Sequence, residues 1–157
     1  MTRGLGKAPQ GKVLRVSISD EKGVPKKNVE EVLLLVEWGV EGDAHAGAWH
    51  RQVSLLAMES IKKMQEKGLE VRPGDFAENI TTEGLDLVSL PIGTRLRVGG
   101  EALLEVTQIG KKCHTGCAIF QQVGQCIMPT EGIFARVIEG GRVRPGDLIQ
   151  VALEKVG

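Results

Sequence analysis

All three cysteines of the chain, and one of its three histidines, fall within residues 111–126, KKCHTGCAIFQQVGQC. Such a cluster could ligate a metal, close a disulfide or carry a reactive thiol. Cys113, His114, Cys117 and Cys126 supply four candidate zinc ligands. A structural zinc site, however, usually pairs one CxxC with a second CxxC or with a distant HxxxH. Here a CHxxC is followed by eight residues before the last cysteine, a poor fit to tetrahedral coordination. Cys117 and Cys126 are flanked by Ala118, Ile119, Ile127 and Met128, and read as small apolar core residues. Cys113 is different. It follows Lys111 and Lys112 just after a predicted strand, where positive charge favours the thiolate, the form that attacks or ligates. The stretch reads as one functional thiol and two packing cysteines.

Two more polar clusters could carry chemistry. EGDAHAGAWHRQVSLL places Asp43, His45, His50 and Arg51 between two predicted strands, where loops commonly mount sites. Two histidines and an aspartate are metal-ligand types, but the HxxxxH spacing suits no face of a regular element. The competing reading has Asp43 and His45 hydrogen-bonding the turn, with His50 at the surface. Anion binding by Arg51 is favoured over a metal. In RPGDFAENITTEGLDL, Pro73-Gly74-Asp75 signals a turn. On their own, Glu78, Asn79, Thr81 and Thr82 read as local capping and turn chemistry.

The elements that must position these residues are mostly strands. KVLRVSIS (12–19) alternates, with Val13, Arg15, Ser17 and Ser19 on one face and Leu14, Val16 and Ile18 on the other. EEVLLLVEWGV (30–40) fits strand or helix by periodicity, and Gly39 and the valines favour strand. RQVSLLA (51–57) runs as a strand into a helix over 57–67, with Met58, Ile61 and Met64 on one face and Gly68 as its stop. Residues 94–110 read as a hairpin about Gly99-Gly100. A short helix is expected after Cys117, carrying Ala118, Ile119, Phe120 and Val123 to a stop at Gly124. Residues 132–153 close the chain as strand, Gly-Gly turn, Pro-Gly-Asp turn and strand. With 21 glycines and no linker or repeat, this is one mainly-β domain over residues 1–157. A closed or partly closed antiparallel barrel with two or three helices fits best.

Twenty basic and twenty acidic residues cancel, which argues against nucleic-acid or membrane-surface partners, since these need a positive field. No apolar run approaches the ~18 residues of a membrane span. The N-terminal MTRGLGKAPQGK lacks the apolar middle of a secretion signal. The expected location is therefore cytoplasmic, where thiols stay reduced and an odd cysteine count is no disulfide framework.

Taken in order, GDAHAG, HRQVSLLAMESI, PGDFAENITTEGLDL, IGTRLRVGGEALLEVTQ, a cysteine five residues after that glutamine, and EGIFARVIEGGRVRPGDLIQV resemble the MOSC domain. That family is named for the C-terminal domain of molybdenum cofactor sulfurases, and includes small stand-alone bacterial members. The resemblance covers roughly residues 10–152. It implies a mainly-β, barrel-like antiparallel domain with a few short helices. It also implies a pocket for the molybdenum cofactor (molybdopterin), with the Cys113 thiolate on molybdenum. Asn79 and Thr81 fall on the family's ENxTT segment; Asp43, His45 and Arg51 fall on or beside its GDxH segment. A soft thiolate suits a thiophilic metal held by dithiolene sulfurs. The cofactor's phosphate would draw on Arg51, Lys111, Lys112 and Arg136.

Many members carry a Pro-Arg pair after the glutamine and a proline before the cysteine. Here Ile109-Gly110 and Lys112 stand in those places. The sulfurase's pyridoxal phosphate belongs to a separate, larger domain and is not expected. The resemblance implies an oxidoreductase that reduces small N-hydroxylated or related N–O compounds at a Cys-ligated molybdenum. No flavin or iron–sulfur signature is visible in the sequence, so electrons would come from redox partner proteins. The alternative is a non-catalytic carrier of the cofactor or of persulfide sulfur, working with cofactor-biosynthesis proteins. Cys117 and Cys126 would suit that role, since a neighbouring thiol can resolve a persulfide. A third reading is a folded domain whose pocket is unused.

Overall fold

The computed structural model describes residues 9–22, 24–110 and 131–152. Lys111, Lys112 and all three cysteines lie outside the described residues, as does the short helix expected after Cys117. Among the described residues there are eleven strands, one α-helix and one 3₁₀ turn, Leu87–Ser89.

β1 (Gln10–Ile18) is the longest strand, and at about 3.3 Å per residue it runs roughly 30 Å. That length lets it pair with three strands in turn. Its start pairs with β11 (Leu148–Val151), its middle with β6 (Ile80–Glu83) and its end with β2 (Lys27–Val29). From β11 the sheet continues through β7 (Arg95–Val98), β8 (Ala102–Ile109), β9 (Ile133–Glu139) and β5 (Val53–Ala57) to β6. Because β1 also pairs with β11, seven strands close into a barrel, as the sequence led one to expect. Closure removes the unpaired edges that an open sheet would present. β10 (Gly141–Val143), β3 (Val32–Leu35) and β4 (Gly39–Val40) form a separate three-stranded sheet. Gly140-Gly141 therefore leads the chain off the barrel to pair with β3, between Gly141 and Leu34 in register.

The barrel interior is aliphatic: Val53, Leu55, Leu96, Leu104, Ile133, Val137 and Ile149 are fully buried. Leu56 points the other way and is buried all the same, against Ile61, Met64, Phe76 and Phe134. This second cluster exists because α1 (Met58–Glu66) packs outside β5. A strand covered on both faces reads as a continuous apolar run rather than an alternation. As expected, Ile61 and Met64 face inward, and the chain leaves α1 through Gly68 at φ +92°. The helix also serves as the crossover that makes β5 and β6 parallel, the one parallel pair among the described strands.

The reading of β1 needs correction. Val13 and Val16 were placed on opposite faces, yet both are buried in the barrel core. A β-bulge between Val13 and Arg15 shifts the register with β6 and inserts Leu14 as an extra residue. One extra residue inverts the facing of everything after it, which strict alternation cannot anticipate.

The sequence Arg-Pro-Gly-Asp occurs twice and folds alike both times. In 72–75 and 144–147 the arginine N–H donates to the aspartate Oδ2, at 2.9 and 2.8 Å, and the aspartate N–H donates back to the arginine carbonyl. Gly74 and Gly146 both take φ +96°, the value that a proline-glycine turn of this type requires. At Gly74 there is a second constraint: a Cβ would sit 2.4 Å from the Lys26 carbonyl.

Candidate functional site

The loop after β4 is organised by a buried ion pair. Asp43 and Lys26, both with side chains fully buried, meet at 2.9 Å. Lys26 Nζ also lies 3.1 Å from Ser19 Oγ and 3.0 Å from His45 Nδ1. Asp43 further accepts the backbone N–H groups of Ser19 and His45, each at 3.0 Å. Burial opposes ionisation of Asp43, but the hydrogen bonds from His45 and Lys26, the Lys26 charge and the Ser19 N–H outweigh it. The carboxyl is held well below its ordinary value. His45 Nδ1 thus faces the Lys26 ammonium at 3.0 Å. The longer 3.7 Å approach of Nδ1 to Asp43 Oδ2 is secondary to this.

From His45 the loop runs to Trp49, whose Nε1 donates to the His45 carbonyl at 2.7 Å. The rings of His45 and Trp49 are parallel within 4° at a centroid separation of 6.4 Å. Arg51 lies with Cζ 4.6 Å from the Trp49 ring centroid and 5.7 Å from that of Phe134. Its Nε is buried without a hydrogen-bond partner. His50 is exposed, and its Nε2 meets Gln108 Oε1 at 2.7 Å. Gln108 Nε2 donates in turn to the Gly110 carbonyl at 2.6 Å. The glutamine thus joins the histidine loop to the last described residue before the cysteine-bearing stretch.

Asn79 and Thr81 hold the barrel wall. Asn79 Oδ1 accepts from the Ser54 N–H at 3.0 Å, and its Nδ2 donates to the Ser17 carbonyl at 3.1 Å, so one side chain ties β5 to β1. Thr81 Oγ1 donates to Glu78 Oε2 at 2.7 Å, which also accepts the Gly74 N–H at 2.8 Å. Glu78 Oε1 is buried and unpartnered. Desolvation outweighs these hydrogen bonds and pushes the Glu78 carboxyl up to about 7. Just before it Ala77 takes the left-handed φ of +67°, a conformation that costs a residue with a Cβ about 1–2 kcal/mol.

Asp43, His45 and Arg51 therefore share one loop. Ser54 pairs in register with Phe134 and Leu56 with Thr81, which puts Asn79's partner, Thr81 and the Arg51-bearing ring on the same outer face of the wall. Arg136 lies farther along β9 and is engaged with Glu105 and Glu37, both at 3.0 Å. Cys113, Lys111 and Lys112 fall outside the described residues. Among the described residues no three His, Cys, Asp or Glu side chains are placed to hold a metal ion.

Sequence reasoning missed Lys26, Gln108 and Trp49. Lys26 sits in VPKKNVE, where nothing marks it off from Lys27 beside it. Gln108 ends the VTQ segment and could have been singled out as a polar residue at a strand end.

A cavity of about 430 Å³ between α1 and residues 84–88 is lined by Ala57, Ser60, Lys63, Leu85 and Glu131, among others. None of the predicted site residues among those described lines it. No helix among the described residues is long and apolar enough to cross a membrane.

The fold is shared with several solved structures. The YuaD protein from Bacillus subtilis superposes with a TM-score of 0.78 at 22% identity, over 92% of this chain and 97% of that one. YiiM from Geobacillus stearothermophilus gives 0.69 at 20% identity, over 95% and 78%. YiiM from Escherichia coli gives 0.61 at 22%, over 96% and 71%. At such identities the likeness establishes the fold alone. No protein of curated function matches the chain in sequence. The MOSC domain model matches residues 42–150, from the Asp43 loop through the cysteine-bearing stretch to the last barrel strand, and this chain belongs to the MOSC domain family.

Proposed function

We propose that this protein binds the molybdenum cofactor through the Cys113 thiolate and reduces N-hydroxylated or related N–O compounds with it. The observation that carries the reading is Arg51. Its guanidinium lies beside two aromatic rings and makes no ion pair among the described residues, and its buried Nε lacks an acceptor. A pre-placed cation with an unmet donor is the local environment that a phosphate-bearing ligand would complete. Membership of a family associated with molybdenum cofactor binding supports the same reading.

When bound, the cofactor supplies the redox chemistry, with electrons delivered by partner proteins. The chain's own residues bind and orient it. Cys113 offers the soft ligand, and Arg51, with Lys111 and Lys112, offers positive charge. Asp43 and Lys26 hold the His45 ring in place through contacts at Nδ1. Asn79 and Thr81 serve as struts of the wall behind the site. Arg136, already paired with two carboxylates, adds little positive field.

The test is molybdenum analysis of protein purified from cells competent to make the cofactor, followed by an N-hydroxylated-base reductase assay. Molybdenum with turnover supports the enzyme. Molybdenum without turnover supports the alternative carrier, for which three thiols in one stretch would be apt. Cys113→Ser should lose the metal, while Cys117→Ala and Cys126→Ala should keep it. If the wild type acquires no molybdenum, both readings fail.

A further inference from the structure

The cavity between α1 and residues 84–88 has the size and the lining of a small-molecule pocket. Its volume of about 430 Å³ lies in the range that such ligands occupy. Leu85, Leu87 and Val88 form an apolar side, and Glu59, Asp86 and Glu131 a charged one. Each carboxylate is engaged through one oxygen only. Glu59 Oε2 accepts the Gly84 N–H at 2.8 Å, and Asp86 Oδ2 accepts the Ser89 hydroxyl at 2.6 Å. Glu131 Oε1 accepts both the Ser60 hydroxyl, at 2.5 Å, and the Lys63 ammonium, at 2.9 Å. The second oxygen of each makes no hydrogen bond with the described residues. Partial burial opposes the charge on Glu131, but the Ser60 hydroxyl and the Lys63 ammonium outweigh it and hold the carboxyl below its ordinary value. Three carboxylates also exceed the Lys63 charge and the roughly half a positive charge at the N-terminus of α1. The balance repels anions and draws in a cation.

Behind this lining stands an unmet polar group. Thr82 is fully buried, and its Oγ1 has no hydrogen-bond partner. Thr82 pairs in register with Ala57, on the same face of the β5–β6 ladder, and Gly84 follows it two residues on. Ala57 and Gly84 both line the cavity. An unpaired buried hydroxyl is rare in a folded protein, and a polar hydrogen brought in between these two residues would satisfy it. We propose that the cavity binds a small primary amine with an apolar body, its ammonium on Glu131 and its body against Leu85, Leu87 and Val88. An ammonium has three hydrogens to place, and the cavity meets them with carboxylate oxygens and the Thr82 hydroxyl. A purely apolar ligand would strip water from the carboxylates and return nothing.

The test is calorimetric titration of the full chain at neutral pH with hexylamine, phenethylamine and tryptamine. Phenylethanol serves as the neutral counterpart and phenylpropionate as the anionic one. At least one amine should bind saturably, and phenethylamine about tenfold or more tightly than phenylethanol, with no binding of phenylpropionate. Glu131→Gln removes the charge but keeps an oxygen for Ser60, and should weaken the amine about fivefold or more. Val88 is 41% exposed, so Val88→Ser should keep the fold and weaken the amine about 2–5-fold through lost apolar contact. It keeps the test valid if Glu131→Gln fails to give a cooperative melt. No saturable binding of any amine up to tens of millimolar overturns the proposal. So does phenylethanol that binds as tightly as phenethylamine, or amine binding that neither substitution weakens.

Discussion

Lys26 Nζ and His45 Nδ1 meet at 3.0 Å across nineteen residues of sequence, and the contact is locked in place by the shared carboxylate of Asp43. Removing one member of a buried pair leaves the other charged and unsolvated. Lys26→Met should therefore destabilise the protein by about 3–5 kcal/mol in urea denaturation. Adding Asp43→Asn should recover a good part of that loss, because the stranded charge is gone. The folded pKa of Asp43 is depressed, so its contribution is complete above the ordinary value of 3.8 and is lost as pH falls through the folded one. The gap between wild type and Lys26→Met should narrow as pH falls, because the stranded carboxylate of the variant takes up its proton before the paired one does. Additive effects of the two substitutions would show that the pair is not coupled.

Glu78 gives a pH dependence of the opposite sign. Its folded pKa is raised to about 7 from 4.5, so the native state holds the proton more tightly than the unfolded chain. Stability is greatest below 4.5 and declines as pH rises to about 7, reaching a deficit of roughly 3 kcal/mol. Glu78→Gln keeps an oxygen for Gly74 and Thr81 but cannot ionise. It should match wild type near pH 5 and exceed it by about 2–3 kcal/mol at pH 8. Parallel stability curves across that range would mean that Glu78 does not titrate there.

Gln108 links His50 to the Gly110 carbonyl. Gln108→Leu removes two partly exposed hydrogen bonds, worth at most about 1 kcal/mol net, or a few degrees in melting temperature. If the link aims the chain that leads to Cys113, molybdenum retention should fall at least about threefold, well beyond what that small loss implies. Metal content that follows stability would reduce Gln108 to an ordinary strand-end contact.

The barrel core tests the fold itself. Leu104→Ala empties a fully buried position between β7 and β9 and should cost about 2–5 kcal/mol. Leu148→Ala, at a residue 43% exposed, should cost under about 1 kcal/mol. Comparable losses at the two sites would contradict the closed seven-stranded arrangement.

Short-range physics was legible in the sequence. The amphipathic spacing of Ile61 and Met64, the stop at Gly68, the hairpin about Gly99-Gly100 and the Pro-Gly-Asp turns each depend on residues a few positions apart. Each was found where it was expected. The order of polar segments identified the family and the loop that carries Asp43, His45 and Arg51.

What the tertiary structure decided depends on residues distant in sequence. Whether β1 meets β11 and closes the barrel is a matter of register between the two ends of the chain, and no local pattern encodes it. The bulge at Leu14 follows from how β6 lies against β1, since alternation alone places Val13 and Val16 on opposite faces. Lys26 acquires a role only because the β1–β2 connection brings its ammonium beside Asp43; in the sequence it is one of two adjacent lysines. Asn79, with only turn chemistry to suggest in isolation, becomes a strap between β5 and β1 once Ser54 and Ser17 flank it. Side-chain type and near spacing limit the chemistry that is available. Partners for a buried charge or amide are set by packing, because only the folded chain excludes the water that would otherwise satisfy them.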